Sequence, residues 1–234
     1  MKKIGIIGAM DVEIALLKQN LQNPQTIQKA HLTFFEGTLN NISVVIVKCG
    51  IGKVNAALCA NILIQEFGIS HVINTGIAGA ISNKLHILDT VISEDAVYHD
   101  VDVTGFGYPP CTLPGFETSF KADTKLIATT KKSFEDLASE HHLFVGRIAT
   151  GDQFIASSEA KNAILKKCNP LCTEMEGAAI AHACFLQKIP FIIIRSISDQ
   201  ADEKGAEKYE FNEETAAKNS AKLVLKMVEN NHLF

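Results

Sequence analysis

Along the chain, short apolar runs alternate with longer stretches in which apolar residues recur every three to four positions. Lys3 to Ile7, Ile42 to Lys48, His71 to Thr75, Val91 to Ser93, Leu143 to Thr150 and Phe191 to Ser196 form the first kind, and their β-branched content predicts strands. Thr33 to Gly37 and Ile42 to Lys48 flank Asn40-Asn41, a turn signal, so a hairpin is expected there. Asp11 to Leu21 predicts a helix capped by Asp11. Gly50-Ile51-Gly52 leads into another, with Val54, Leu58 and Ile62 on one stripe, and further helices are expected over Ala122 to Leu137, Glu176 to Gln187 and Asn212 to Glu229. Asp100 to Ser119 follows neither period, carries Gly105, Gly107, Pro109, Pro110 and Pro114, and is long enough to be a functional loop.

Strands alternating with helices, and no repeat or linker to divide them, predict one three-layer α/β/α domain over residues 1–234. The early hairpin makes its central sheet mixed rather than wholly parallel. In such folds ligands gather beyond the carboxyl ends of the strands, which directs attention to the turns after Ile7, Lys48, Thr75, Thr150 and Ser196.

Composition narrows the function classes. With 47% apolar and 21% charged residues over 234 positions, the chain has the balance of a packed domain. Its formal charge of −4, and basic runs no longer than pairs such as Lys2-Lys3 and Lys166-Lys167, argue against a nucleic-acid partner. Lys2 and Lys3 ahead of Ile4 to Met10 imitate a secretory leader, but Asp11 and Glu13 interrupt the apolar run, and no run approaches a membrane span. The six cysteines lack the spacing of a disulfide framework, and Cys168 and Cys172 have no second pair to complete a zinc site. Buried or incidental thiols in a cytoplasmic protein are expected.

Familiar motifs fail in detail. Gly5 and Gly8 do not complete the three-glycine dinucleotide fingerprint. Gly52-Lys53 resembles the end of a phosphate loop, yet Val47 occupies its first glycine and Val54 its metal-binding hydroxyl. His99, Asp100 and Asp102 lack a further histidine at ligand spacing and read as a loop hydrogen-bond cluster. What is left is acidic: Glu13 in the first turn after the first strand, Glu174 and Glu176 at a helix start, and Asp199 after the last strand. Each alone would suit a helix terminus or a turn. Together at one sheet rim they form an acid/base set suited to breaking a glycosidic bond.

Seven ordered strings carry a resemblance over essentially the whole chain: Gly5-Ile6-Ile7-Gly8-Ala9-Met10 with Glu13, Gly50 to Val54, Asn74-Thr75-Gly76, Tyr98 to Thr104, Gly151 to Ile155, Glu174-Met175-Glu176 and Ser196 to Asp199. They are similar to those of the bacterial 5′-methylthioadenosine/S-adenosylhomocysteine nucleosidases, in the purine nucleoside and uridine phosphorylase superfamily. The resemblance implies a nucleoside phosphorylase-like fold, a homodimer, and hydrolysis of the N-glycosidic bond without metal or cofactor. The substrates implied are methylthioadenosine and S-adenosylhomocysteine, with 5′-deoxyadenosine beside them, in methionine salvage and the removal of S-adenosylmethionine by-products. It further implies that Asp199, helped by Ser198, donates a proton to adenine N7, that Glu13 activates water, and that Glu176 grips the ribose hydroxyls with Glu174 nearby. Phe154 would stack on adenine, the backbone of Ile155 would read its edge, Gly79 and Met175 would line the sugar side, and Met10 would also bind the substrate. Ile51 and Phe211 would touch the 5′-alkylthio group, joined by Val103, Phe106 and Pro114 of a second copy.

Arginine use separates hydrolysis from phosphorolysis, the runner-up reaction. A phosphate cradle uses several arginines, and the chain has only Arg147 and Arg195. Arg195 is expected either to orient the water and Glu13 or to form a structural ion pair. A non-catalytic nucleoside binder on the same fold could dispense with Glu13 or Asp199, and both are present. One departure stands out: the family's Asn-Thr-Gly-Ser run reads Asn74-Thr75-Gly76-Ile77 here, which replaces a hydroxyl that could help hold the water.

Overall fold

The computed structural model of the chain describes residues 2–230. In chain order they form β1 (Lys3–Gly8), α1 (Asp11–Asn20), β2 (Gln22–Lys29), β3 (Leu32–Leu39), β4 (Ile42–Lys48), α2 (Lys53–Phe67), β5 (His71–Ala80), β6 (Thr90–Tyr98), β7 (Phe120–Lys121), α3 (Thr124–Glu135), β8 (Leu143–Thr150), α4 (Ser158–Cys168), β9 (Cys172–Glu174), α5 (Gly177–Leu186), β10 (Phe191–Asp199) and α6 (Gly205–Glu229). All strands join one mixed sheet in the order β2-β3-β4-β1-β5-β9-β8-β6-β10, with β7 on β6. The sheet also closes on itself, because β10 pairs in parallel with β5 and antiparallel with β6. Half of it is thus a ring of β5, β10, β6, β8 and β9, and the other half an open extension.

The strands are apolar at consecutive positions because both faces are covered. On β1, Ile4 and Ile6 enter the core under α1 and α6, while Ile7 enters the core under α2. Gly5 on that second face lets α2 approach: a Cβ there would lie 2.5 Å from Leu63 Cδ2. Among the described residues five of the six helices therefore form two layers, α1, α3 and α6 on one face and α2 with α5 on the other, while α4 packs on a separate small cluster through Ile164 and Cys168.

Several expectations change. Of the stripe Val54, Leu58 and Ile62 only Ile62 packs against the core: Val54 is 71% and Leu58 48% exposed, and α2 buries Ala56, Cys59, Ala60 and Leu63. Small residues there let α2 pack closely on the alanine-rich α5. Asp11 does not cap α1. The Glu13 carboxylate reaches back to the amides of Ala9 and Met10, and Asp11 pairs with Lys48 at 2.6 Å. Helix α6 starts seven residues before the expected Asn212, so the charged stretch after Lys204 is helical. Strand β2 and helix α4 were not anticipated; β2 is an exposed edge strand, and its polar sequence leaves no alternating pattern. All six cysteines are free and buried.

Candidate active site

A cavity of about 470 Å³ opens at the carboxyl ends of β1, β5, β9 and β10. Its walls carry Glu13, Glu174, Glu176, Asp199 and Glu210, and no lysine or arginine. The remaining lining is largely apolar, with Met10, Ile51, Ile77, Phe154, Met175 and Tyr209.

Glu13 is fixed where β1 turns into α1. Its Oε2 accepts from the amides of Ala9 at 2.6 Å and Met10 at 3.0 Å, and its Oε1 from the Ile77 amide at 3.1 Å. Gly76 makes this possible, since a Cβ there would overlap the carboxylate. Burial pushes the Glu13 carboxyl above its ordinary range, against the pull of the Arg195 charge and these amides. The contact from residue 77 comes from the main chain, so isoleucine supplies it as well as serine would.

Asp199 ends β10. The register slips between Ile197 and Asp199, a bulge that places Asp199 opposite Gly79. A Cβ on Gly79 would come within 2.8 Å of Asp199 Oδ1. Oδ1 accepts from the Ala201 amide at 2.8 Å and Oδ2 from Ser198 Oγ at 2.9 Å. Burial raises the Asp199 pKa, although both hydrogen bonds favour the charged form.

Glu174 and Glu176, two residues apart, have different surroundings. Glu174 is saturated: Oε2 accepts from Arg195 Nη2 at 2.5 Å and from the amides of Glu176 at 3.1 Å and Gly177 at 2.7 Å, and Oε1 from Thr150 Oγ1. Glu176 receives one hydrogen bond among the described residues, from the Gly52 amide at 2.8 Å. Its pKa is pushed up to about 8, first by burial and then by the Glu174 charge. Arg195 is fully enclosed; besides Glu174 it holds Asn74 Oδ1 at 2.7 Å, and Asn74 is tied in turn to the Ile7 carbonyl at 2.9 Å. Of the two roles open to Arg195, the structure displays the ion pair.

Phe154 stands half exposed at the cavity mouth, edge-on to Tyr209 with ring centroids 5.7 Å apart. The Ile155 side chain turns away into a cluster with Ile81, Val97 and Ala149. Phe211 is 86% exposed and outside the cavity, whereas Tyr209 and Glu210 line it. Two residues along a helix is a turn of about 200°, so once α6 begins at Gly205, Tyr209 and Phe211 face opposite ways. The Tyr209 hydroxyl lies 3.0 Å from Glu213 Oε1 and 3.3 Å from Met10 Sδ. Val103, Phe106 and Pro114 do not line this chain's own cavity, and Phe106 is 85% exposed.

The arrangement places two buried carboxyls of raised pKa, Glu13 and Asp199, on the walls of one largely apolar cavity, with a third, Glu176, held by the amide of the Gly52 turn. Comparison with known proteins agrees with that chemistry. A family model described as the phosphorylase superfamily matches residues 3–229. A 5′-methylthioadenosine/S-adenosylhomocysteine nucleosidase of Oceanobacillus iheyensis is 41% identical over 228 residues, 97% of this chain and 98% of the relative. Among solved structures, such a nucleosidase from Colwellia psychrerythraea in complex with adenine superposes with a TM-score of 0.96 at 42% identity, covering 99% of this chain and 96% of the other. The Neisseria meningitidis nucleosidase in complex with methylthio-immucillin-A gives 0.95 at 38% identity, covering 98% and 100%. With its ring-closed mixed sheet and carboxylate-lined cavity, this chain belongs to the 5′-methylthioadenosine/S-adenosylhomocysteine nucleosidase family of the phosphorylase superfamily.

Proposed function

We propose that the chain hydrolyses the N-glycosidic bond of 5′-methylthioadenosine and S-adenosylhomocysteine, releasing adenine and the 5-substituted ribose. The observation that carries this reading is the cavity wall, which joins five carboxylates to apolar side chains without a cation. A phosphorylase has to hold a phosphate dianion beside the sugar. Here Arg147 is clamped on Asp95 at 2.7 and 2.8 Å, and Arg195 is committed to Glu174 and Asn74, which leaves neither free for phosphate.

In this reading adenine lies against Phe154 with N7 toward Asp199, the ribose lies toward Glu176 and Met175, and the alkylthio group meets Met10, Ile51 and Tyr209. As the C1′–N9 bond lengthens, its electron pair moves into the purine and Asp199 delivers its proton to N7. The raised pKa supports the role, because the acid has to be protonated near neutral pH to give that proton up. Water attacks C1′ and its proton passes to Glu13, whose carboxylate is fixed by three amides and whose pKa is also raised. The sugar carries positive charge in between, and the nearby carboxylates stabilise it. Glu174 acts by holding Arg195 and the start of α5 rather than by touching the sugar.

We further read residues 1–234 as one domain working as a homodimer in the cytoplasm. A single sheet that takes strands from both ends of the chain supports the first point. Val54 and Leu58 on α2, with Phe185 and Leu186 on α5, make an exposed apolar face, and the Asp100–Ser119 segment carries exposed Phe106. Six buried free thiols suit a reducing compartment, and no helix among the described residues is long and apolar enough to cross a membrane.

Adenine release from methylthioadenosine in phosphate-free buffer tests the reaction. Full turnover there is expected; strict dependence on added phosphate, or no release in either buffer, overturns it.

A further inference from the structure

Two motifs that fail as a phosphate loop and as a metal site, Gly52-Lys53 and His99-Asp100, meet beside the cavity. The Lys53 ammonium pairs with Asp100 Oδ2 and lies 3.6 Å from Asp152 Oδ2, 5.6 Å from the centroid of the Tyr98 ring. The Lys53 amide donates to Asp152 Oδ1 at 2.8 Å, and the Asp152 amide donates to Asp100 Oδ2 at 3.1 Å. Three separate segments, namely the turn before α2, the end of β6 and the end of β8, are thereby tied at one point. An ammonium that a nucleotide-binding loop would aim at phosphate is here taken up by two carboxylates.

Gly50 and Gly52 have φ of 86° and 99°, the left-handed region, and Gly52, the residue at the start of α2, has no side chain to cap it. Apart from Asp152, the turn is held by the Gly50 amide on the Ala9 carbonyl at 3.1 Å and by Asn55 Nδ2 on the Ile51 carbonyl at 2.7 Å. Yet the Gly52 amide makes the one hydrogen bond that the Glu176 carboxylate receives among the described residues. The neighbour across the turn is Asp152: a Cβ on Gly52 would stand 3.1 Å from its Oδ1.

We propose that Lys53 is a positioning residue for Glu176: by pinning the Gly50–Gly52 turn to Asp100 and Asp152, it holds the Gly52 amide on the Glu176 carboxylate and so fixes that carboxylate toward the ribose. This rests on the nucleosidase reading for what Glu176 does, though not for how it is held. The Asp100 carboxyl fits the scheme, since burial pushes it up but the Lys53 contact and the Asp152 amide together hold it below its usual range. Asp100 also begins the segment that carries Val103 and Phe106, so the same cluster sets where that segment leaves the sheet.

Lys53→Met keeps the aliphatic stem and removes the charge. It is expected to lower kcat/KM for methylthioadenosine about tenfold, mostly through KM, the size of losing one hydrogen bond. Lys53→Arg should recover most of that, and Lys218→Met, which removes a distant surface pair, should change nothing. In a Glu176→Ala background Lys53→Met should cause no further loss, because a positioning residue has nothing left to position. Amide exchange at Gly52, followed by NMR, should accelerate in Lys53→Met and in Glu176→Ala alike. A loss of equal size in both backgrounds, or unchanged Gly52 exchange in Lys53→Met, overturns the proposal. A wild-type protein that releases no adenine overturns the nucleosidase reading alone, because the exchange measurement needs no turnover and still decides the positioning.

Discussion

Arg195 Nη2 and Glu174 Oε2 are 2.5 Å apart, and both side chains are almost wholly shut away from solvent. The pair joins the last residues of β9 to the middle of β10, and through Asn74 to β5 and β1. It thereby connects the strands that present Glu13, Glu176 and Asp199. Two residues spent on each other thus tie together the strands whose ends carry the three groups.

Glu174→Gln should therefore be mainly a stability variant. It keeps the volume but leaves the Arg195 guanidinium without its closest counter-charge, and breaking a buried pair from one side costs on the order of 3 kcal/mol. Urea unfolding measures it. A loss below about 1 kcal/mol, the range of exposed pairs, would show that the site does not depend on this bond.

Glu176 gives stability a pH dependence of predictable sign. Burial first, then the neighbouring Glu174 charge, push its carboxyl up to about 8 in the folded protein from an ordinary 4.5. Between those values the folded state binds more protons than the unfolded one, so this contribution is complete below pH 4.5 and is lost as pH rises to about 8. Groups acting on it are Glu174 and Glu13, which raise it, and Arg195 and the Gly52 amide, which lower it. Glu176→Gln removes the titration, so its melting temperature should gain on the wild type from pH 5.5 to 8.5. A gap that stays constant across that range is the contrary result.

The apolar face on α2 and α5 makes an assembly prediction. Leu58→Glu puts a charge in its middle, away from the chain's own core. Light scattering should find the wild type near twice 25.4 kDa and the variant near 25.4 kDa. If Val103, Phe106 and Pro114 complete the neighbour's cavity, the variant should also show a raised KM for methylthioadenosine; a wild-type monomer with full activity refutes the shared cavity.

How much of this was legible in the sequence follows from what each residue does. β1, β4 and β10 were readable because they are buried on both faces over most of their length and so carry runs of consecutive apolar residues, and the carboxylates were readable because strand ends are where ligands gather. The face of α2 was not, since in its first half the larger Val54 and Leu58 point outward and the small Ala56, Cys59 and Ala60 inward. The direction of Tyr209 against Phe211 depended on where α6 begins, which a charged stretch without apolar period does not mark. Ring closure depends on β10 pairing with two distant strands, a relation that no local pattern records. The partners of Glu13 are three backbone amides, which have no letter in a sequence.

Asp199 is the strictest test of the chemistry. Asp199→Asn keeps the shape and can still accept from the Ala201 amide, but the amide has no proton to transfer to N7. If Asp199 is the general acid, kcat should fall by roughly 10²- to 10⁴-fold, the usual size of such a contribution. KM should move far less, because the carboxamide can still hydrogen-bond the ring in the ground state. Its carboxyl is buried with a raised pKa, so replacing it by a neutral group removes a desolvation penalty rather than a stabilising charge. The melting temperature should accordingly hold or rise slightly near neutral pH. A structural role in capping the turn to Ala201 predicts the reverse, with lower melting temperature and nearly intact kcat. Both quantities read on one sample separate the two, and a variant that keeps more than about a tenth of wild-type kcat removes Asp199 from the role of acid.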